Sequence, residues 1–347
     1  MAQRSSPARG LAFAAVLALA FTAQAGPAGN RADAEPSLND RLAEQDVRVH
    51  DPAILRVGDT YHLFSTGHLG ERTGIIPWRV SKNLVDWAFV GPVFRDLPDW
   101  APRTIEGARG LWAPDIVQAN GEYRLYYAVS TFGKNRSAIG LAVTRSLDPA
   151  SPDFGWEDRG PVLQSFSGDD FNAIDPNIFI DRDGRHWMSF GSFWGGIKLV
   201  ELDPATGKRK AEDGPIHSIA SRPGGEHAIE APFLIARGGS YYLFVSFDFC
   251  CRGVNSTYHT VVGRADNVLG PYVDRDGKLL LDGGGTVVLH TDQDPGRRWI
   301  GPGHNAILCD NGQDYIVYHA YDATRQGAPA LRIQPLEWTE DGWPVAR

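Results

Sequence analysis

Cysteine is scarce in this chain. There are three in 347 residues, Cys250, Cys251 and Cys309. That low, odd number excludes a disulfide framework as the basis of the fold. The adjacent pair leaves two readings open, a strained vicinal bridge or thiols buried as small hydrophobes. Basic excess is missing as well. Lys and Arg total 34 against 42 Asp and Glu, a formal charge of −8. This balance speaks against nucleic acid or an anionic membrane as partner and suits a neutral one. After residue 45 no long run alternates at helical period, which excludes helical layers. The one long apolar run, "LAFAAVLALAFTA", follows Arg4 and Arg9 and ends at "AQA" over 23–25. It is too short for a membrane span and no stop-transfer pattern follows, so residues 1–25 read as a secretory signal cleaved near Ala25. Secretion, extracellular or periplasmic, is the expectation. No cysteine follows the cleavage site to carry a lipid. Losing the signal removes two arginines and no acid, taking the charge from −8 to −10. Residues 26–44 are polar, with Pro and Gly, and read as a flexible leader; residues 45–347 read as one domain.

What is abundant is glycine, 39 residues, and aromatic side chains, 11 %. Short strands, tight turns and flat stacking surfaces follow from such a composition. Five stretches share one form: "HDPAILRVGDTYHLFSTG", "WAPDIVQANGEYRLYYAVST", "IDPNIFIDRDGRHWMSFGSF", "EAPFLIARGGSYYLFVSFD" and "GHNAILCDNGQDYIVYHAYD". Each is an apolar strand, a turn of hairpin chemistry (Gly-Asp, Asn-Gly, Asp-Gly, Gly-Gly, Asn-Gly) and an aromatic-rich strand. Pro52, Pro114, Pro176, Pro232 and Asn305 share one phase, at intervals of 62, 62, 56 and 73 residues. Each unit continues with at least one further strand. Five meander sheets in sequence predict an all-β, five-bladed β-propeller. A two-sheet sandwich does not repeat a paired hairpin at this period.

In a propeller the innermost strands converge on the central channel. The positions just before the shared phase are Asp51, Ala113, Asp175, Ala231 and His304, with Glu230 one step earlier. Each alone has an ordinary reading: an Asp before Pro caps a turn, a Glu before Ala-Pro is a loop charge, and His304 is a core histidine. Matched phases change this. Three carboxylates and an imidazole around one funnel repel and push their pKa values apart, which gives one group able to donate a proton and one able to accept it. Glycoside hydrolysis needs that pair.

The segments "HDPAI", "LWAPDIV", "STFGKNRSAIGLAVT", "FNAIDPNIF", "GSFWGGIKL", "EAPFLI", "FDFCCRGVNSTY", "GPGHNAIL" and "YHAYD" resemble the glycoside hydrolase family 43 endo-1,5-α-L-arabinanases, from about residue 49 to the C-terminus. The resemblance implies endo-hydrolysis of α-1,5-linked L-arabinan with inversion. By motif, Asp51 matches the general base, Glu230 the general acid and Asp175 the residue that tunes and orients that acid. We expect Asp51 and Asp175 to be ionised, with Asp175 keeping Glu230 protonated. Trp112 and Phe132 match aromatic faces for sugar stacking; Asn172, Ser192 and Trp194 are candidate contacts to sugar hydroxyls. Asp115 reads as structural support. His304 matches a histidine that holds a metal, usually calcium, near the channel axis. Arabinan or its oligosaccharides would be the partner of a monomer. The alternatives are an exo-acting arabinanase, an arabinofuranosidase or xylosidase of the same family, and a sugar-binding propeller without catalysis. Fructan-cleaving propellers carry their Asp-Pro-Asn in the first blade, whereas "IDPN" lies in the third here.

Overall fold

The computed structural model describes Met1 and residues 36–347, so apart from Met1 the expected signal sequence and the first part of the leader lie outside the described residues. The hairpin turns act as read. Asn120-Gly121, Gly238-Gly239 and Asn311-Gly312 have positive φ at both positions, the geometry whose twist matches two paired strands. The third unit departs: its turn spans 181–185 rather than two residues, closed by the Asp181 N–H to the Arg185 carbonyl.

Five sheets result. The first joins Ala53–Val57, Thr60–Phe64, Ile75–Ser81 and Ala88–Phe94. The second joins Gly110–Ala119, Glu122–Val129, Ser137–Thr144 and Glu157–Ser165, and takes the short strand Gly67–His68 on its inner edge. The third is Asn177–Ile180, His186–Phe190, Ile197–Leu202 and His217–Ala220; the fourth is Ile229–Arg237, Ser240–Phe247, His259–Ala265 and Thr286–Leu289. Trp299–Asp310, Gln313–Asp322, Ala328–Trp338 and Pro344–Ala346 form the fifth. All neighbours are antiparallel and in chain order, the meander of a propeller blade. The apolar core lies in slabs between successive blades, for example Phe64, Trp78, Leu111 and Tyr127 between the first and second. Among the described residues no helix is long and apolar enough to cross a membrane.

Each blade keeps its own four main strands, so the ring is not sealed by strand exchange. Blade 5 meets blade 1 through an apolar slab containing Leu63, Ala306, Val317 and Ile333. Arg56 and Tyr61 of blade 1 both bond Asp310 of blade 5. The segment before blade 1 adds to this seam. It is not loose to residue 44 as expected: Leu38–Glu44 is a helix. Ser37 accepts the Asp40 N–H, and the Asp40 carboxylate accepts the Ser37 N–H, a reciprocal cap. Leu42 is buried, Asn39 accepts the Ile333 N–H at 2.9 Å, and the Val47 carbonyl accepts the Leu331 N–H at 3.0 Å.

Candidate active site

The five phase-matched residues share a conformation as well as a place. Asp51, Ala113, Asp175, Ala231 and His304 have φ of 54, 43, 56, 55 and 50°. Left-handed backbone is uncommon for non-glycine residues, and a following proline disfavours the helical region further. It is held here by hydrogen bonds. The Ala113 N–H donates to Thr66 Oγ1 (2.8 Å), Ala231 to Asp175 Oδ2 (3.1 Å), His304 to Ser246 Oγ (2.9 Å) and Asp51 to His319 Nδ1 (3.1 Å). The strand register slips at this place in blades 2, 4 and 5. Such a bulge re-aims a side chain, here toward the axis. In blades 1 and 3 the strand begins just after the proline, at Ala53 and Asn177.

Asp51, Asp175, Glu230 and His304 line one cavity of about 1750 Å³. Every sequence-derived contact residue lines it too: Trp112, Phe132, Asn172, Ser192 and Trp194. Phe132 is 81 % exposed, and the Trp112 indole N–H has no protein partner. Asn172 is buried and accepts from Ser137 Oγ at 2.6 Å. Ser192 does something the sequence did not suggest: its hydroxyl donates to Glu230 Oε2 at 2.7 Å, while Tyr258 donates to Oε1 at 2.8 Å. Both oxygens of Glu230 are thereby fixed. Asp115 supports structure, accepting the Ile178 N–H (2.6 Å) across the blade 2–3 seam.

Electrostatics separate the carboxyls. Burial would raise Asp51, but the imidazoles of His50 and His304 outweigh it and hold Asp51 well below the usual carboxylate range. His50 Nδ1 is 2.8 Å from its Oδ2, His304 Nδ1 is 3.0 Å from its Oδ1, and Thr66 donates to Oδ2 at 2.6 Å. Asp175 runs opposite to expectation. Burial pushes it up; His304 pulls it down, but the Glu230 and Asp51 charges add to burial, and Asp175 lies well above the carboxylate range. Burial thus favours its protonated form, where the charge count favoured an ionised one. Burial would lower His304, yet Asp51 and the other carboxylates carry it up to about 9, so it is an imidazolium at neutral pH.

The calcium expected at His304 finds a thin donor set. Calcium takes six to eight oxygens, and the His304 Nδ1 already faces Asp51. Among the described residues, clusters of three ligating side chains are His50–Asp51–His319 and His50–Cys250–Cys251. Neither contains His304, and the second includes a pair joined as a disulfide. The residues present do not form a protein cage for calcium.

The sequence reading also passed over a column of rings. His319 stacks on His50 at 3.9 Å and lies 6.0 Å from Tyr258, between the residues that hold Asp51 and Glu230. Tyr321 joins it, 2.9 Å from His50 Nε2. His319 and Tyr321 stand in "YHAYD" and Tyr258 in "FDFCCRGVNSTY", but no local pattern announces their role. The cysteines depart from the buried-thiol reading: Cys250 and Cys251 are bonded at the cavity wall, and Cys309 is exposed.

Comparison with known proteins agrees with the propeller fold. The family model for glycosyl hydrolases family 43 matches residues 45–344. An extracellular exo-α-(1→5)-L-arabinofuranosidase of Cellvibrio japonicus is 46 % identical over 86 % of this chain and 86 % of its own. An extracellular endo-α-(1→5)-L-arabinanase of Bacillus subtilis is 43 % identical over 85 % of this chain and 87 % of its own. The structure of a Cellvibrio cellulosa α-L-arabinanase complexed with arabinohexaose superposes with a TM-score of 0.81 at 44 % identity, covering 87 % of this chain and 96 % of that one.

Proposed function

The chain belongs to glycosyl hydrolase family 43, and from that premise we propose that it hydrolyses α-1,5-linked L-arabinan from within the polymer, with inversion. The observation that carries the reading is one cavity holding a carboxyl pushed down, Asp51, and a carboxyl pair, Asp175 and Glu230, that retains a proton. In this reading the Asp51 carboxylate takes a proton from water as its oxygen bonds the anomeric carbon. Glu230 gives a proton to the departing glycosidic oxygen as that bond breaks. The proton of the pair rests on Asp175 in the free site and passes to Glu230 when a sugar oxygen arrives beside it. Asp175 thus tunes the acid by sharing its proton rather than by charge alone. His304 holds Asp51 ionised, and Ser192 and Tyr258 orient Glu230.

The cavity suits a chain of sugars. Its volume exceeds the ~300–1,000 Å³ of drug-sized ligand sites, and Trp112, Phe132, Phe193, Trp194 and Phe249 line it. Sugar rings stack on such faces. Exo-action is the second reading, favoured by the Cellvibrio japonicus relative. Products formed on linear arabinan over time separate the two. Mixed oligosaccharides in the first minutes are expected; one small product from the start would replace endo by exo, and no hydrolysis with retained binding would leave a sugar-binding propeller.

Export after cleavage near Ala25 belongs to the same reading, supported by the two relatives named as extracellular. A metal at His304 would have to displace a proton from that imidazolium, with the freed ring nitrogen as its protein ligand and water for the rest. Such an ion, at about a hundredfold over its Kd, adds about 2.7 kcal/mol. Chelation should then lower the melting temperature by about 5 °C, reversed by added calcium. A melting curve and an activity indifferent to chelator would remove the ion.

A further inference from the structure

We propose that the Cys250–Cys251 disulfide turn is a positioning element for Asp51, acting through Tyr321 and His50, so that full turnover requires the pair to be bonded. The proposal rests on the reading of Asp51 as the base.

The turn is held on both sides. Thr257 donates its N–H to the Phe249 carbonyl (3.0 Å), and the Arg252 N–H donates to Ser256 Oγ (3.0 Å). Beyond the cysteines, Gly253 sits against Gly327 of blade 5, where a Cβ on Gly327 would lie 2.7 Å from the Gly253 Cα. Within the turn, Cys251 has φ of 64°, a conformation a β-carbon disfavours, and the bond between neighbouring cysteines closes a small ring around it. The Cys251 N–H is thereby aimed at the Tyr321 hydroxyl, 2.7 Å away. The Cys251 Sγ packs 3.8 Å from His50 Nε2.

Proton positions then follow in order from that N–H. His319 Nδ1 accepts the Asp51 N–H, so its proton is on Nε2, which lies 3.3 Å from the Tyr321 oxygen. A hydroxyl has two acceptor sites and one proton. Cys251 and His319 fill the acceptor sites, and the proton points to the remaining partner, His50 Nε2, at 2.9 Å. His50 must then carry its own proton on Nδ1, which faces Asp51 Oδ2 at 2.8 Å. An ionised Asp51 only accepts, so it demands that same Nδ1 proton, and the disulfide turn, through Tyr321, reinforces the His50 tautomer that offers an N–H to the base. It also braces the ring that fixes the carboxylate's plane. Released, the turn frees the Tyr321 hydroxyl to rotate, and a misplaced base loses rate without losing substrate.

Dithiothreitol, itself oxidised to its cyclic disulfide, leaves both cysteines as thiols. Titratable thiols should rise from the one at Cys309 to three. On linear arabinan we expect kcat to fall about tenfold with KM within about twofold, and reoxidation to restore it. Tyr321→Phe, kept oxidised, should lose a similar factor, and reduction should then cost it nothing more. The proposal is overturned if the reduced protein turns over normally, if reduction raises KM and spares kcat (cysteines that touch sugar), or if Tyr321→Phe is as active as the parent. Should the reduced chain unfold, the oxidised Tyr321→Phe variant decides alone. An oxidised parent inert on arabinan sinks the hydrolase reading instead.

Discussion

Asp51→Ala is expected to lower kcat on linear arabinan by about 10³–10⁴-fold, with KM within about threefold, the magnitude of losing a positioned base. The reasoning is electrostatic as much as chemical. Three groups converge on this one carboxylate: His50, His304 and Thr66. Together they keep a buried acid ionised. Without it, water near the anomeric carbon has no proton acceptor, and His304 loses the partner that makes it a cation. The vacated volume gives a stricter test. Azide needs no base, so it should restore turnover to Asp51→Ala and yield a glycosyl azide of inverted configuration. Residual activity within tenfold of the parent, or an azide product of retained configuration, would remove Asp51 from this role.

How far the sequence led differs by level. The blades were legible because hairpin turns and one proline phase are local chemistry repeated at near-constant spacing. The ring of candidates was legible for the same reason. Its backbone was not. A proline after Asp51, Ala113, Asp175 and Ala231 argues against left-handed φ, and only acceptors from neighbouring strands and blades, Thr66 and His319 among them, make it stable. Ser192 read as a sugar contact because a short polar residue near the rim suggests one; its geometry toward Glu230 needs the third dimension. The column of His50, His319 and Tyr258 joins residues from blades 1, 5 and 4, beyond any local pattern. The leader's end was misjudged because seven helical residues carry too little periodicity to stand out, although Ser37 and Asp40 spell a cap.

The direction in which burial shifts Asp175 departs from the charge count, and it shapes the prediction for Glu230. Counting charges suggested an ionised Asp175 repelling its neighbour. Burial raises Asp175 itself, so the pair holds one proton and resists giving up the last one. Glu230→Gln has nothing to donate. It should lose about 10³–10⁴-fold on arabinan, yet be little impaired on a nitrophenyl arabinofuranoside, whose leaving group departs unprotonated. Asp175→Asn keeps the acid but removes the second carboxyl. In the parent, losing the shared proton places two buried negative charges together, so the proton persists to high pH and the alkaline limb of the rate profile lies high. In the variant the carboxyl that burial raises is gone and only one charge forms, so the alkaline limb moves to lower pH. The acid limb, set by Asp51, should move little. Equal losses for Glu230→Gln on both substrates, or an alkaline limb unmoved in Asp175→Asn, would break the pairing of these two residues as a single proton donor.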